Sequence, residues 1–278
     1  MDKKIGIIGF GNMGQAIGER IKTDLAIFDE DKLKTMNLKD TIKVLLNAAL
    51  VVQHSDVVIL AVKPQDFASL LDSIKKPAAG TNKLFISIAA GITTGYIEEI
   101  LGNARVIRTM PNMPAQIGEG ITALTKGAYA KNDDLKLAEE LFSSLGKTIV
   151  INESMMSAVT AVSGSGPAYV CYFLEAEGLS PAAVPPEKQN NFLAEFIKAA
   201  QGVGFSLEQA TQLVNQTYKG TIHFLQRKNA TPSQLCKQVT SKGGTTEAAL
   251  EVLHKGGDLR EAVRAALLRA EELSKKEK

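Results

Sequence analysis

Apolar residues in the first half of the chain fall into short runs that are separated by stretches of helical periodicity. The runs that predict strands are Lys4–Ile8, Leu25–Phe28, Ile42–Leu45, Val57–Val62, Leu84–Ile88, Arg105–Thr109, Ile121–Leu124 and Thr148–Ile151. Several of them are apolar without alternation, as expected of parallel strands that are covered on both faces. Helical stretches such as Gln65–Lys75, Thr94–Leu101 and Asp133–Leu145 lie between them. This alternation predicts right-handed βαβ units and an open, doubly wound α/β sheet.

The chain has no strand signals after Glu153, and the pattern there is helical. The predicted helices are Ser154–Val162, Pro167–Glu177, Lys188–Val203, Ser206–Gln226, Thr231–Val239, Thr245–His254 and Leu259–Lys275. Ser206 and Gln209 have the spacing of a capping box, and Pro232 suits the first position of a helix. The sequence therefore predicts an α/β domain over residues 1–152 and an all-helical domain over residues 153–278.

The charges of the chain nearly cancel, which restricts its partners. Its 278 residues include 32 Lys and Arg against 30 Asp and Glu, for a formal net charge of +2, and neither half is strongly basic. A nucleic acid is therefore not an expected partner. No apolar run approaches the ~20 residues of a membrane span, and no cleavage site follows the first strand. Two cysteines with no metal-ligand spacing predict core thiols, no metal site and a cytoplasmic protein.

A Gly-rich segment, Gly9–Gly14 (GFGNMG), directly follows the first strand and leads into a helical pattern. This order of strand, G-x-G-x-x-G and helix is the fingerprint of a Rossmann dinucleotide site. Gly9 permits the tight turn, Gly11 lets the backbone approach a diphosphate, and Gly14 allows close packing of helix on strand. The cofactor contacts expected in this turn are Gly9, Gly11, Asn12, Met13 and Gly14. The segment alone leaves open an ordinary glycine turn without a ligand.

Asp29 ends the second predicted strand, where a carboxylate is expected to bind the adenosine ribose and to repel a 2′-phosphate. The next two residues are acidic as well, whereas Lys32 and Lys34 can offset their charge. The cofactor is therefore NADH or NADPH, with the balance of charges favouring NADH.

Further cofactor contacts are expected in the loops that follow other strands, because doubly wound folds bind ligands at the carboxyl ends of their strands. One such loop is Ala61–Gln65, and another is Ser87–Gly91, whose small residues let a flat ring lie against the backbone. A third, Arg108–Ala115, contains two prolines and predicts a rigid loop between the domains. The contacts expected here are Val62, Lys63, Pro64, Ala89, Ala90, Gly91 and Asn112.

Small polar residues open a helix late in the chain, in the run Val239–Glu247. Glycines and hydroxyls ahead of a helix leave N–H groups free to hold an anion such as a carboxylate. Thr246 offers a hydroxyl that can donate or accept. An ordinary glycine loop before a helix is the alternative. A similar run, Ala161–Tyr169, opens another helix and fits either a ligand loop or a tight helix–helix corner.

The three histidines, His54, His223 and His254, show no spacing that pairs them with a serine, a carboxylate or a metal site. We place His54 in a turn and His254 near a helix C-terminus. A reaction that needs a strong general base is therefore difficult to assign. A protonated imine is already an activated electrophile, so its reduction depends less on catalytic side chains.

These segments together resemble the pyrroline-5-carboxylate reductase family nearly from end to end. The motifs that carry the resemblance are GFGNMG, AVKPQ, SIAAGI, RTMPNMPAQIGEG, AVSGSGPAY and VTSKGGTTEAALEVL. The resemblance implies reduction of L-1-pyrroline-5-carboxylate to L-proline by hydride from NAD(P)H. It also implies an N-terminal Rossmann domain and a helical C-terminal domain through which the chain forms a homodimer or a higher oligomer.

The same resemblance implies roles for the residues that open the late helix. Ser241, Gly243, Gly244 and Thr245 are expected to hold the substrate carboxylate, and Thr246 to bind the ring nitrogen as the catalytic residue. Positioning and electrostatics then supply most of the catalysis. Two departures stand out: Lys242 replaces the proline that is usual in the family, and residues 178–190 look long and Pro-rich.

Two other functions remain as alternatives. A β-hydroxyacid dehydrogenase also joins a Rossmann domain to a helical one. The pattern of that class includes a catalytic Lys on the helix near the second Gly-rich turn, and Ser163–Glu177 contains no Lys. A non-catalytic nucleotide sensor would keep the first domain and lose the motifs of the second. In this chain the segment Ser241–Thr246 still has the residues of the motif, with the exception of Lys242.

Overall fold

The computed structural model describes residues 3–276, apart from 22, 37 and 40. The chain divides into two compact units. The first contains the residues up to Thr109 together with Leu124–Glu153, and the second contains Met110–Ala123 together with Ser154–Lys276.

The single boundary at 152/153 therefore misses one segment, Met110–Ala123, which belongs with the helical unit. The reason is tertiary packing. The Asn112 amide donates to the Ser163 carbonyl and to Thr217 Oγ1, at 3.3 and 3.4 Å. Gly220 also lies so close to Pro114 that a Cβ there would come within 2.8 Å of its ring.

The described residues form an eight-stranded sheet in the order β3-β2-β1-β4-β5-β6-β7-β8. The strands are β1 Ile5–Ile8, β2 Leu25–Phe28, β3 Ile42–Val44, β4 Val57–Leu60, β5 Leu84–Ser87, β6 Arg105–Met110, β7 Gly120–Lys126 and β8 Gly146–Val150. All eight predicted strands are present, with shifted ends, and β1 to β6 pair in parallel. Gly127 N–H donates to the Val106 carbonyl at 2.8 Å, which places the end of β7 beside the beginning of β6, so these two run antiparallel.

The order of the central strands brings the predicted cofactor loops to one edge of the sheet. Strands β1 and β4 are buried along their whole length and pair from Ile5 with Val57 to Ile8 with Leu60. Beyond that register, Ala61 N–H donates to the Ile8 carbonyl at 2.7 Å. Ile88 N–H donates to the Leu60 carbonyl at 3.1 Å. The carboxyl ends of β1, β4 and β5 therefore lie side by side, as a doubly wound sheet requires.

The described part of the first unit contains five α-helices: α1 Asn12–Gly18, α2 Ala48–His54, α3 Phe67–Ala78, α4 Thr94–Leu101 and α5 Asn132–Ser143. Short 3₁₀ turns at Lys32–Thr35 and Pro64–Asp66 supplement them. The prediction of a turn around His54 was wrong, because this residue ends α2. The N-cap of α2 is Asn47, whose side chain accepts from Leu50 N–H at 2.9 Å.

The helices of the second unit are α6 Met156–Val159, α7 Gly166–Ala176, α8 Pro186–Gly202, α9 Leu207–Lys228, α10 Pro232–Val239, α11 Thr245–His254 and α12 Leu259–Lys276. The capping boxes at Ser206 and Thr231 are both present. The helix predicted over Ser154–Val162 is not continuous: α6 is short and passes into a π-helical turn at Thr160–Gly164. Among residues 3–276 outside the three gaps, no helix combines the length and the apolar character needed to cross a bilayer.

Candidate functional site

The Gly-rich turn between β1 and α1 has a shape that only glycine allows at two positions. Gly9 has φ +94°, and a Cβ there would lie 2.6 Å from the Ala61 backbone. A Cβ at Gly14 would strike the carbonyl oxygen of Gly9. A Cβ at Gly11 would meet nothing within 4 Å, so this residue lies next to open space. Gly9 and Gly14 thus close the turn, and Gly11 leaves the approach to it free.

The first turn of α1 is open to an anion. Its N-cap is Gly11, which has no side chain to cap the helix, and no acidic residue lies in the first turn. The backbone N–H groups at such a helix start favour a diphosphate. Asn12 is exposed, and Met13 is partly exposed beside it. The residues present therefore fit a dinucleotide.

Asp29 has a local role that the sequence did not reveal. Its Oδ2 accepts from Phe10 N–H at 2.6 Å, and its Oδ1 accepts from Asp31 N–H at 2.8 Å. Lys34 Nζ also lies 3.2 Å from Oδ1, and only 9 % of the Asp29 side chain is exposed. The carboxylate at the end of β2 therefore anchors the Gly-rich turn, because Phe10 is part of that turn.

The loops after β4 and β5 lie at the same sheet edge as this turn. Val62 is half-buried, and the exposed Lys63 caps a 3₁₀ turn that begins at Pro64. After β5, Ser87 Oγ accepts from Ala89 N–H at 3.3 Å, Ala90 is half-buried, and Gly91 has φ +83°. The structure thus brings the predicted contacts from these two loops together with the Gly-rich turn.

Asn112 differs from the other predicted cofactor contacts, because it lies in the second unit and only 2 % of it is exposed. In addition to the two bonds of its amide, its Oδ1 accepts from Ile121 N–H at 2.9 Å. Its side chain therefore serves to hold the 110–123 segment, and only its backbone is left for a ligand.

The loop before α11 presents an open helix start in the second unit. Gly244 is the N-cap and supplies no side-chain cap. Thr245, Thr246 and Glu247 form the first turn, whose N–H groups have no earlier turn of α11 to pair with. Gly243 has φ +69°, a conformation that favours glycine. This arrangement suits a carboxylate ligand.

Two charged side chains hold Gly243 from both sides. Glu247 Oε2 accepts from Gly243 N–H at 2.6 Å, and Arg269 Nε on α12 donates to the Gly243 carbonyl at 2.7 Å. Arg269 is itself oriented by Glu272, with an Nη1 to Oε2 distance of 2.8 Å. The loop is therefore shaped before any ligand arrives. Sequence reasoning missed Arg269, which lies 26 residues from its partner.

Ser165 is another residue that the sequence did not single out, and it is fully buried. Its Oγ lies 3.0 Å from Thr245 Oγ1 and 3.1 Å from Thr246 Oγ1. Ser165 follows the π-helical turn and is fixed by its own N–H, which donates to the Thr160 carbonyl at 2.9 Å. The two Gly-rich runs of the second half, Ala161–Tyr169 and Val239–Glu247, therefore meet through three hydroxyls.

A partly buried ion pair between Arg108 and Glu153 stabilises the first unit. Glu153 accepts from Thr94 N–H and Thr94 Oγ1, each at 2.7 Å, and lies 3.3 Å from Arg108 Nη1. Burial lowers the pKa of Arg108, and Glu153 only partly offsets that effect. The carboxylate thus connects β6 with the N-terminus of α4, and its role is to stabilise the fold.

The histidines of the chain take part in other contacts. His223 Nδ1 lies 3.4 Å from Glu119, and His54 Nε2 lies 3.6 Å from Asp24. His254 ends α11, away from the helix start, with its ring centroid 5.5 Å from that of Tyr172. Among the described residues, no group of three or more His, Cys, Asp or Glu is arranged to hold a metal ion.

Comparison with known families gives matches over both halves of the chain. A family model described as pyrroline-5-carboxylate reductase dimerisation matches residues 153–184 and 190–277. One described as NADP oxidoreductase coenzyme F420-dependent matches residues 4–91. The unmatched residues 185–189 include the beginning of α8 and lie within the segment that looks long in the sequence.

Curated relatives match over nearly the full length. The chain is 35 % identical to the pyrroline-5-carboxylate reductase of Methanosarcina acetivorans, over 99 % of this chain and 97 % of that one. It is 36 % identical to that of Mycobacterium tuberculosis H37Rv, over 97 % and 96 % of the two chains. Among solved structures, that of Coxiella burnetii has a TM-score of 0.66 at 32 % identity and covers 98 % of this chain and 99 % of its own. The NADP-bound enzyme of Plasmodium falciparum has a TM-score of 0.61 at 28 % identity and covers 98 % of each chain.

Proposed function

Because the chain belongs to the pyrroline-5-carboxylate reductase family, we propose that it reduces L-1-pyrroline-5-carboxylate to L-proline as an NAD(P)H-dependent oxidoreductase. The substrate imine, one proton and NAD(P)H give L-proline and NAD(P)⁺. The observation that carries this proposal is the open start of α11, where a glycine N-cap and two threonines offer N–H groups and hydroxyls to a small cyclic acid.

The second unit binds the carboxylate of the substrate. The N–H groups of Thr245 and its neighbours at the start of α11 face the anion, and the dipole of the helix favours negative charge there. Gly243 and Gly244 let the backbone come close, and Ser241 adds an exposed hydroxyl. The bonds to Glu247 and Arg269 keep Gly243 in place, so little of the binding energy is lost in ordering the loop.

Thr246 binds the ring nitrogen and so orients the C=N bond. Its side chain is almost fully buried, and its hydroxyl is already fixed by Ser165. A fixed hydroxyl contributes by positioning and by stabilising the charge at nitrogen, without acting as a general base. The role needs no histidine, in keeping with the placement of all three histidines in other contacts.

The first unit holds the dinucleotide, which supplies a hydride when it is bound. The turn of Gly9, Gly11, Asn12, Met13 and Gly14 takes the diphosphate at the start of α1. The loop residues Val62, Lys63, Pro64, Ala89, Ala90 and Gly91 complete the binding edge of this unit.

NADH is the expected preference, on the ground of the charge at the end of β2. Asp29 disfavours a 2′-phosphate, but Lys34 lies 3.2 Å from Asp29 and 3.8 Å from Asp31 and neutralises part of their charge. The preference is therefore expected to be small. A preference for NADPH of at least about tenfold, or ~1.4 kcal/mol, would contradict it.

The cysteines and the family match support a cellular location and a state of assembly. Cys171 and Cys236 are free thiols, which fits a reducing compartment, and we place the enzyme in the cytoplasm. The match of the helical unit to the dimerisation model supports a homodimer or a higher homo-oligomer, which light scattering after gel filtration would measure.

One assay tests the proposed function directly. The purified chain is mixed with NADH or NADPH in separate titrations, with and without L-1-pyrroline-5-carboxylate, and the loss of nicotinamide absorbance is followed. We expect oxidation only with the imine present, and L-proline as the product. Nucleotide binding without any imine-dependent oxidation would support a nucleotide sensor and overturn the proposal. Oxidation of a β-hydroxy acid by NAD⁺ in place of imine reduction would support the dehydrogenase alternative.

A further inference from the structure

A chain of hydroxyl groups runs inward from Thr246 in the second unit. Thr246 Oγ1 lies 3.1 Å from Ser165 Oγ, and the Tyr169 hydroxyl donates to the Ala161 carbonyl at 2.9 Å. Ser165 is the N-cap of α7 and Tyr169 lies one turn later, so their side chains share one face of the helix. Against the larger effect of burial, the Ser165 hydroxyl lowers the pKa of Tyr169 slightly, which fits two hydroxyls that face each other.

The bonds at the two ends of this chain each have a fixed direction. A hydroxyl has one proton to donate and two lone pairs, whereas a carbonyl oxygen only accepts. Tyr169 gives its proton to the Ala161 carbonyl, and Thr246 gives its proton to Ser165. Ser165 keeps its own proton for a neighbouring hydroxyl, either Tyr169 or Thr245, whose Oγ1 lies 3.0 Å away. The proton of Thr246 is thereby turned inward, and its lone pairs are left for a ligand.

Burial protects this arrangement from water. Ser165 and Tyr169 have no exposed surface, and Thr246 is 4 % exposed. Burial also raises the pKa of Tyr169 far above its ordinary value, so the phenol keeps the proton that it donates. Hydrogen bonds in such surroundings polarise one another and are difficult to reverse.

We propose that Ser165 is a positioning residue that, together with Tyr169, holds Thr246 Oγ1 as a hydrogen-bond acceptor and thereby selects the N-protonated form of the cyclic imine. This inference rests on the proposed function, in which Thr246 contacts the ring nitrogen. The N–H of the protonated imine donates to Thr246. As hydride adds to the ring carbon, the π electrons of the C=N bond move to nitrogen, and the same N–H remains on the L-proline formed. An imine without its proton offers only a lone pair, which Thr246 in this orientation cannot bind.

The charged groups around Thr246 have other partners or lie on other surfaces. The elements packed about it carry Lys242 in the loop, Glu247, Glu251 and His254 on α11, Glu175 on α7, and Arg260, Glu261, Arg264, Arg269, Glu271, Glu272 and Lys275 on α12. Glu247 and Arg269 are both bonded to Gly243. Of the hydrogen bonds given for Ser165 and Thr246 in the described structure, none involves a charged side chain. The pH dependence that we expect therefore comes from the substrate.

A double-mutant cycle tests whether Ser165 acts through Thr246. We expect Ser165→Ala to lower kcat about tenfold, the size of one hydrogen bond to a charged group, while nucleotide affinity is unchanged. Adding Ser165→Ala to Thr246→Ala should cause no further loss, because the residue that it positions is already gone. Tyr169→Phe keeps the ring packing and should lower kcat in the same direction by a smaller factor.

The pH profile separates this role from a merely structural one. Wild-type kcat/KM should fall as the pH rises through the pKa of the substrate imine. In Ser165→Ala the Thr246 hydroxyl is free to rotate and to donate to a neutral imine. The ratio of wild-type to variant kcat/KM should therefore be largest at low pH and shrink as the pH rises. A structural defect would lower the variant by the same factor at every pH.

Ser163→Ala is the matched control. Ser163 is also fully buried and lies within the π-helical turn. Among the described residues its hydroxyl bonds only to the Val159 carbonyl, at 3.2 Å. The Ser163→Ala variant should lose some thermal stability and keep the wild-type pH profile. Additive losses in the double mutant, or a ratio that does not change with pH, would overturn the role of Ser165. If Ser165→Ala does not fold, the pH profile of Tyr169→Phe decides. A wild-type enzyme inactive towards the imine would instead overturn the proposed function, and this inference with it.

Discussion

The Gly-rich turn of the first unit and the Ser241–Thr246 loop of the second both lead into a helix whose N-cap is a glycine without a side-chain cap. They are held in different ways. Gly9 and Gly14 close the first turn by backbone contacts that leave no room for a Cβ. The second loop is held by side chains, Glu247, Arg269 and Ser165, that bond to it from nearby and from distant parts of the chain.

This difference has a physical consequence for each site. A turn that is closed by backbone contact has no room for a side chain at the closing glycines, so a substitution there displaces the helix. A substitution at an open position of the turn leaves it intact. A loop that is held by separate side-chain bonds loses them one at a time, each worth about 0.5–1.5 kcal/mol, or up to about 3 with a charged partner. We therefore expect all-or-none effects in the first unit and graded effects in the second.

The largest effect is expected for Gly14→Ala. The added methyl group would strike the Gly9 carbonyl oxygen, so α1 must move away from β1. Affinity for NAD(P)H should fall at least about 100-fold, because several backbone contacts of ~1 kcal/mol each are lost together. Nucleotide fluorescence titration measures it.

Gly95→Ala is the matched control for this prediction. Gly95 lies in α4 of the same unit, and a Cβ there would meet nothing within 4 Å. Alanine should be neutral or slightly stabilising at that position, by up to about 1 kcal/mol. If Gly14→Ala bound the nucleotide as well as Gly95→Ala, the backbone account of the first site would be wrong.

The next effect in size is expected for Thr246→Ala. It removes the hydroxyl proposed to contact the ring nitrogen, so kcat should fall roughly 10- to 100-fold. Nucleotide affinity should stay at the wild-type value, because the first unit is untouched. Steady-state kinetics with the imine and a separate nucleotide titration measure the two quantities. Unchanged turnover would contradict the role of Thr246.

Arg269→Gln should have an intermediate effect on substrate binding. It removes the donor to the Gly243 carbonyl while Glu247 still holds the N–H of the same residue. KM for the imine should rise about five- to tenfold, with a smaller change in kcat. Arg269→Lys keeps the charge but loses the fixed geometry of Nε, so it should resemble the glutamine variant.

Arg264→Gln on the exposed side of the same helix controls for the loss of one charge. Its KM should equal that of the wild type. If Arg264→Gln raised KM as much as Arg269→Gln, the general charge of α12 would be responsible and the specific bond to Gly243 would not.

The same contrast explains how far the sequence predicts the structure. The strands and the Gly-rich turn follow from local patterns, apolar runs and glycine spacing, so all eight strands and the fold class were predicted. Helix α2 was missed because it has only seven residues, two of them adjacent valines whose β-branched side chains favour strands. The placement of Met110–Ala123 was missed because it depends on the tertiary bonds of Asn112.

The candidate site in the second unit was predicted only in its local part. Glycines and hydroxyls before a helix identify a loop that can bind an anion, and the resemblance adds roles for them. The contacts that hold the loop join residues 80 and 26 positions apart, between Ser165 and Thr245 and between Arg269 and Gly243. No short-range pattern contains such pairs. The Ala161–Tyr169 run did single out the region of Ser165, without showing which loop it contacts.

The smallest effect is expected at Lys242, which stands where the resemblance to the family predicts a proline. The residue is exposed, and the loop around it is already held by Glu247 and Arg269. Lys242→Ala should therefore raise KM by no more than about twofold at low salt, and the difference should vanish at high salt, because exposed charges are screened. KM measured at two ionic strengths tests this. A rise of more than about tenfold that persisted in salt would mean that Lys242 itself binds the carboxylate. The charge of one side chain would then matter more than the bonds that shape the loop, and the contrast between the two sites would no longer hold.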